Sequence, residues 1–175
     1  YLAGRYGIGK NTPKILKKLG YKIDVSISPF VDYTHQYGPN FSRYNNDEFS
    51  TNTILYWPHT SAIVSPFPFA RKYFNHSPAA YTKTSFWSKV MRKIVRAKLH
   101  RLSPEGFSLT DMQNVTKYQY ELGQRCFILS FHSPSVKSGL TPYVESTAQA
   151  VEFNQKVLAY ANWFKNEFKG EFIKV

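Results

Sequence analysis

The sequence has little cysteine, few acidic residues and no long apolar run. Its single cysteine, Cys126, excludes a disulfide framework within the 175 residues, and a reducing compartment, the cytoplasm, is expected. No stretch approaches the roughly 18 consecutive apolar residues of a transmembrane helix. The opening residues lack an initiator Met and an apolar signal core, so we expect a segment internal to a longer protein.

The shortage of acidic residues gives the chain a strong positive charge. Eleven Asp and Glu stand against 23 Lys and Arg, for a net charge of +12. This charge favours acidic partners, and nucleic acid, anionic lipid and anionic glycan all fit it. Hydrophobic residues make up 42% of the chain and aromatic residues 17%, which predicts a folded domain rather than a disordered segment.

Helical and strand patterns alternate along the chain. Helical signals cover 12–19, 85–101, 108–122 and 146–168, and strand signals cover 21–27, 54–57 and 126–131. Ser28–Asn52 is predicted to be a long loop that covers another part of the fold, and Pro58–Pro68 is predicted to be irregular. The alternation predicts an α/β layer or barrel with parallel strands, whose chemistry gathers at the C-terminal ends of the strands.

Two residues match that expectation, Arg5 and His132, which we expect at the same rim. Histidine suits proton transfer near neutral pH, and an arginine can orient a carboxylate, although lone residues of both types are more often structural or solvated. Asp24 and Asp32 could be carboxylate partners, but an aspartate near a strand end more often caps a turn.

Other patterns are weaker. The five histidines are at least 17 residues apart, so the sequence contains no metal motif. Gly4–Thr12 resembles a phosphate loop but fits neither the dinucleotide nor the P-loop pattern. Between Phe49 and Pro104 there are nine Lys and Arg and no acidic residue. The helix predicted there is interpreted first as a solvated basic face, and second as a surface for nucleic acid or anionic membrane.

Four motifs carry a resemblance to a known family. They read AGRYGIGKNT at 3–12, ILKKLGYKIDVS at 15–26, LSFHSPS at 129–135 and TPYV at 141–144. Together they resemble polysaccharide deacetylases of the NodB-like, WalW-type group, from Tyr1 to about Gly170. The resemblance implies a distorted (β/α)7 barrel of the glycoside hydrolase/deacetylase type, of which residues 1–175 would form the C-terminal portion of a single domain, without the N-terminal strands.

The same resemblance implies roles for individual residues. His132 would be the general acid and Arg5 would orient the catalytic base, whereas Asp24 would contact the histidine, with Asp32 as the alternative. Leu129 would pack beneath the acetyl group, and the matched motifs also place Tyr6 and Tyr143 at the substrate. In this family an Asp and two His bind a divalent metal, usually zinc, and these ligands would precede Tyr1.

Three functions follow in order of preference. The first is a fragment of a bacterial, metal-dependent hydrolase that removes N- or O-acetyl groups from a glycan, the segment alone being inactive. The second is a glycan-binding remnant without catalysis that stacks sugars on the aromatic loop Phe30–Tyr44. The third is a basic binder of anionic membrane or, less favoured, of nucleic acid.

Overall fold

The computed structural model describes residues 1–51 and 54–173, and these ranges form six α-helices and five strands. The helices are α1 Thr12–Lys18, α2 Pro68–His76, α3 Pro78–Thr82, α4 Phe86–Ile94, α5 Leu109–Glu121 and α6 Thr147–Phe168. The strands are β1 Ile23–Asp24, β2 Phe49–Thr51, β3 Ile54–Tyr56, β4 Ser61–Val64 and β5 Lys98–Arg101. Within the described ranges, no helix combines the length and the apolar character that crossing a bilayer requires.

The strands form two small sheets, and neither closes. The first has the order β1-β3-β2, with β1 parallel and β2 antiparallel to β3. The second pairs β4 with β5 in antiparallel register, Ser61 opposite Arg101. The fold is therefore mixed α/β as expected, but its strands are not all parallel.

The helix signals of the sequence are confirmed at three places. Pro13 lies in the first turn of α1, where the missing N–H costs nothing. Both α5 and α6 begin with a reciprocal capping box, Ser108 with Asp111 and Ser146 with Gln149. Each box satisfies backbone donors that the first turn leaves without a partner.

Two strand predictions need correction. The segment Cys126–Phe131, predicted to be a strand, is extended but forms no strand. One of its backbone hydrogen bonds to the core goes to a side chain rather than to a neighbouring backbone, so no β-ladder forms. Ile128 N donates to Thr60 Oγ1 and Ser130 N donates to Leu102 O. Conversely, β4 lies inside the segment predicted to be irregular.

The basic helix is shorter than predicted and the loop before it is more ordered. Helix α4 ends at Ile94, Arg96 adopts a left-handed φ of 51°, and the chain then enters β5. The predicted loop Ser28–Asn52 contains β2 and an isolated bridge between Asp32 and Asn40, while its last residue, Asn52, lies outside the described residues.

Strand β4 is hydrogen-bonded by side-chain amides in addition to its partner strand. Asn46 accepts from Ser61 N and donates to Ser61 O, both at 2.8 Å. Asn75 binds the N–H and the carbonyl of Ile63 in the same way, at 3.0 and 2.9 Å. Gln119 Nε2 adds a bond of 2.7 Å to Ser61 O. The amides therefore satisfy backbone groups that a further strand would otherwise bind.

Candidate functional site

A carboxylate and a histidine form the centre of the candidate site. His132 Nδ1 lies 2.8 Å from Glu105 Oε2, and His132 N donates to Glu105 Oε1 at 2.9 Å. Ser135 Oγ donates to Glu105 Oε1 as well. The side chain of Glu105 is 7% exposed and that of His132 is 70% exposed. The carboxylate is therefore buried beneath an imidazole that faces solvent.

Two irregular segments bring this pair together. Glu105 follows β5 in the loop that leads to α5, and its N–H donates to Ser103 Oγ at 3.2 Å. His132 follows the extended segment 126–131, which is held beside that loop by the bond from Ser130 N to Leu102 O. Leu102 is buried, so the junction of the two segments is anchored in the core.

The hydrogen bonds define the tautomer of His132. A carboxylate only accepts, so the contact with Glu105 requires a proton on Nδ1. In the neutral imidazole Nε2 then carries a lone pair, and after protonation it carries a transferable proton. The carboxylate also stabilises the imidazolium that forms. His132 can therefore accept a proton and then donate it.

Of the predicted substrate residues, Tyr143 lies beside this pair, whereas Leu129 packs against the core. The ring of Tyr143 is parallel to that of His132 within 12°, with centroids 6.2 Å apart, and is half exposed. Ser135 Oγ also lies 3.0 Å from Thr141 Oγ1, which ties the turn after His132 to the segment that carries Tyr143. Leu129 packs against the core cluster of Ala62, Leu102, Met112, Val115 and Tyr160.

A group of aromatic and cationic side chains continues from the pair. Tyr6 stacks on Tyr33 with centroids 5.4 Å apart and meets His59 edge-to-face at 5.3 Å. Arg101 Nη2 donates to Tyr33 Oη at 2.9 Å. Burial raises the pKa of Tyr6, the positive charge of Arg101 opposes that change, and the charge of Glu105 adds to it.

His59 is the most unusual member of this group. It is 5% exposed, and neither ring nitrogen has a hydrogen-bond partner in the described part of the chain. Burial, with the positive charge of Arg101 added, lowers the pKa of His59 to about 4. The ring is therefore neutral at physiological pH and is not a proton carrier there.

Arg5 and Tyr6 adopt a strained backbone conformation. Both lie in the left-handed region, with φ of 52° and 58°. Such geometry costs a residue with a side chain about 1–3 kcal/mol and persists only where surrounding structure imposes it. It leaves Arg5 exposed while Tyr6 is partly buried against the aromatic group.

The two aspartates bind their own turns. Asp24 is fully buried, and its Oδ1 accepts from Ser26 N at 2.8 Å. Asp32 is exposed and accepts from Thr34 N at 2.9 Å, a bond that lowers the pKa of Asp32. The carboxylate bound to His132 is that of Glu105, while each aspartate accepts from a backbone N–H two residues further on, as turn-capping aspartates do.

The aromatic loop packs largely inward. Phe30 and Phe41 are buried, whereas Tyr37 is fully exposed. Tyr44 is also exposed, at 39%, so both Tyr37 and Tyr44 of this loop face solvent. Among residues 1–51 and 54–173, no three His, Cys, Asp or Glu side chains are grouped so that they could hold a metal ion. The described residues therefore contain no candidate for the metal site that the resemblance implies.

Comparison with known proteins adds no relative. No family model, no curated protein and no solved structure matches the chain. The functional assignment consequently depends on the motifs of the sequence and on the geometry of this site.

Sequence reasoning did not identify Glu105, His59, Tyr33 or Arg101. One signal was available for Glu105, which is the only acidic residue between Glu48 and Asp111. A single carboxylate in so basic a stretch departs from the local composition and is therefore a candidate for a specific role. His59 gave no comparable signal, because burial is a property of the fold.

Proposed function

We propose that the chain is part of a metal-dependent carbohydrate deacetylase that hydrolyses N- or O-acetyl groups of a glycan, with His132 as its proton donor. The observation that supports this function is the bond between buried Glu105 and exposed His132. It gives the imidazole one fixed tautomer and a solvent-facing Nε2, which general acid catalysis requires.

The proposed reaction is hydrolysis. The oxygen of water bonds to the acetyl carbon, and the bond from that carbon to the glycan nitrogen or oxygen breaks. Nε2 of His132, protonated by the attacking water or by solvent, gives this proton to the leaving atom. The acetic acid that forms loses its remaining proton to solvent and leaves as acetate. Glu105 stabilises the protonated ring, while the parallel ring of Tyr143 supports its face.

The divalent metal of this reaction, zinc by resemblance, would activate the water. The residues that this chain contributes to the reaction are His132 and Glu105. By the same resemblance, we propose that the two sheets belong to a distorted (β/α)7 barrel whose N-terminal strands lie outside residues 1–175. The parallel pair of β1 and β3 and the extended segment 126–131 support this arrangement.

The test is acetate release from acetylated chito-oligosaccharides and acetylated xylan by the complete protein. His132→Ala should lower kcat by about 10²–10⁴-fold, the usual contribution of a general acid. His35→Ala, which changes an exposed histidine of the predicted loop, is the matched control. Full activity of His132→Ala would refute the role. Glycan binding that a chelator does not affect, without acetate release, would instead support the non-catalytic remnant.

A further inference from the structure

Helices α2, α3 and α4 present a continuous apolar surface to solvent. The exposed side chains of this surface, which we call the apolar patch, are Phe67, Phe69, Tyr73, Phe86, Trp87, Met91 and Ile94. Trp87 is 74% exposed and Phe86 is 70% exposed. A groove of about 580 Å³ runs between the three helices and is lined by Phe69, Tyr73, Trp87 and Met91, among others. Exposed apolar patches of this kind indicate an interaction surface.

Helix α4 has the residue distribution of a helix that lies in a membrane interface. At about 100° per residue, its exposed apolar side chains fall within an arc of about 140°. Lys93 and Lys89 are exposed and follow one edge of that arc, whereas Val95, directly after α4, lies beyond the other edge and is buried in the core. The exposed half of α4 therefore combines an apolar strip with a cationic border.

The segment that forms the apolar patch also carries exposed cations, one of which, Lys83, lines the groove. The exposed basic residues of this region are Lys72, Lys83, Lys89, Lys93 and Arg96. Arg92 has a different role, since its Nη1 donates to the carbonyls of Tyr81 and Lys83 and so fixes the corner between α3 and α4. Residues 49–104 contain no acidic residue, and none of these cations forms an ion pair with a carboxylate in the described part of the chain.

We infer that the apolar patch and the exposed lysines of the same segment bind the surface of an anionic phospholipid membrane. Trp87, Met91 and their neighbours enter the boundary between head groups and acyl chains, and the lysines contact lipid phosphates and carboxylates. A nucleic acid would match the charge but not the aliphatic side chains Met91 and Ile94, which make no phosphate contact. A second copy of the chain would bring two cationic borders together, which charge repulsion opposes.

The inference is independent of the proposed deacetylase function. The patch is built by 67–96, whereas the candidate catalytic pair lies in the loops after β5 and after Phe131. Membrane binding therefore needs no contribution from His132, and either proposal can fail without the other.

The test is co-sedimentation of the complete protein with phosphatidylcholine vesicles, with and without phosphatidylserine. We expect binding to the phosphatidylserine vesicles, decreasing as salt rises. Brominated lipid should quench the fluorescence of Trp87. The double variants Trp87→Ser/Met91→Ser and Lys89→Glu/Lys93→Glu should each weaken partition by about tenfold or more.

Matched controls separate the patch from general charge and hydrophobicity. Leu158→Ser changes an exposed apolar residue of α6, and Lys17→Glu/Lys165→Glu reverses two exposed lysines elsewhere. Both should bind like the unchanged chain, and circular dichroism should show every variant to be folded. The inference is overturned by absence of vesicle binding, by equal losses in the control variants, or by indifference to Trp87→Ser/Met91→Ser. Single-stranded RNA that binds more tightly than vesicles would overturn it in favour of nucleic acid.

Discussion

Glu105 and His132 are 27 residues apart in the sequence, and their side chains meet at 2.8 Å. The carboxylate accepts from the backbone N–H of His132 as well as from its ring, so it determines both the position of the residue and the orientation of the imidazole. This double contact distinguishes the pair from a surface ion pair between two mobile side chains.

The first prediction concerns the tautomer of His132. In the neutral ring the proton should reside on Nδ1, because Glu105 accepts from it. Glu105→Ala should release the ring to the Nε2–H form that predominates in free histidine. Long-range ¹H–¹⁵N correlation spectra of the imidazole measure this directly. Glu121→Ala, at the exposed end of α5, should leave the spectrum unchanged, and an Nε2–H ring in the unchanged chain would contradict the hydrogen bond.

The second prediction concerns Asn75, which binds both backbone groups of Ile63. Asn75→Ala leaves a buried N–H and a buried carbonyl without these partners and should lower the free energy of unfolding by roughly 2–4 kcal/mol. Urea titration followed by circular dichroism measures the change. Asn166→Ala on the exposed face of α6 should cost no more than about 0.5 kcal/mol. An equal effect of the two substitutions would mean that the amide bonds to β4 contribute little.

The third prediction concerns the pH dependence that His59 gives to stability. The pKa of His59 is about 4 in the folded chain and near its ordinary 6.5 when unfolded. Between these pH values the unfolded state binds more protons than the folded state. The free energy of unfolding should therefore decrease as the pH falls from about 7 to about 4. Below about pH 4, His59 should contribute no further change. The full loss is about 3 kcal/mol.

His59→Leu separates this effect from other titrations. The substitution removes the titrating ring and two buried nitrogens without partners, so at neutral pH it should change the free energy of unfolding by only about 1 kcal/mol. Urea titrations at several pH values should show a flatter dependence for the variant. If both proteins lose stability in parallel as pH falls, His59 is not the group responsible.

The fourth prediction concerns the start of α6. Ser146→Ala removes the acceptor for Gln149 N and should lower the free energy of unfolding by about 1 kcal/mol. Ser146→Asp should restore most of the loss, because aspartate caps equally well. Thermal and urea unfolding of the three proteins measure the difference. Failure of the aspartate to restore stability would indicate that the serine acts through packing rather than capping.

The elements predicted best are those whose signals are local. The capping boxes of α5 and α6 are each complete within four consecutive residues, so the sequence alone defines both helix starts. Helix α4 was predicted to extend too far because Leu99 continues the spacing of Val95. The left-handed turn at Arg96 and the pairing of Leu99 with Ile63 override that spacing.

The elements predicted poorly depend on distant partners. Strand β4, Ser61–Val64, is buried almost throughout and therefore lacks the alternation that reveals a half-exposed strand. The segment 126–131 has strand-like composition, but a strand also needs a neighbour to complete a ladder. The sequence shows that Glu105 is a single acidic residue within a basic stretch. Its contact with His132, however, depends on how two loops meet in the fold.

The amides that bind β4 connect its hydrogen bonding to distant parts of the chain. Asn46 lies 15 residues before Ser61, and Gln119 lies 58 residues after it. The strand cannot be fully hydrogen-bonded until both segments, together with α2 and β5, have reached it. During refolding the amide protons of Ser61 and Ile63 should therefore be among the last to become protected from exchange, and their protection would report that the surrounding elements have assembled.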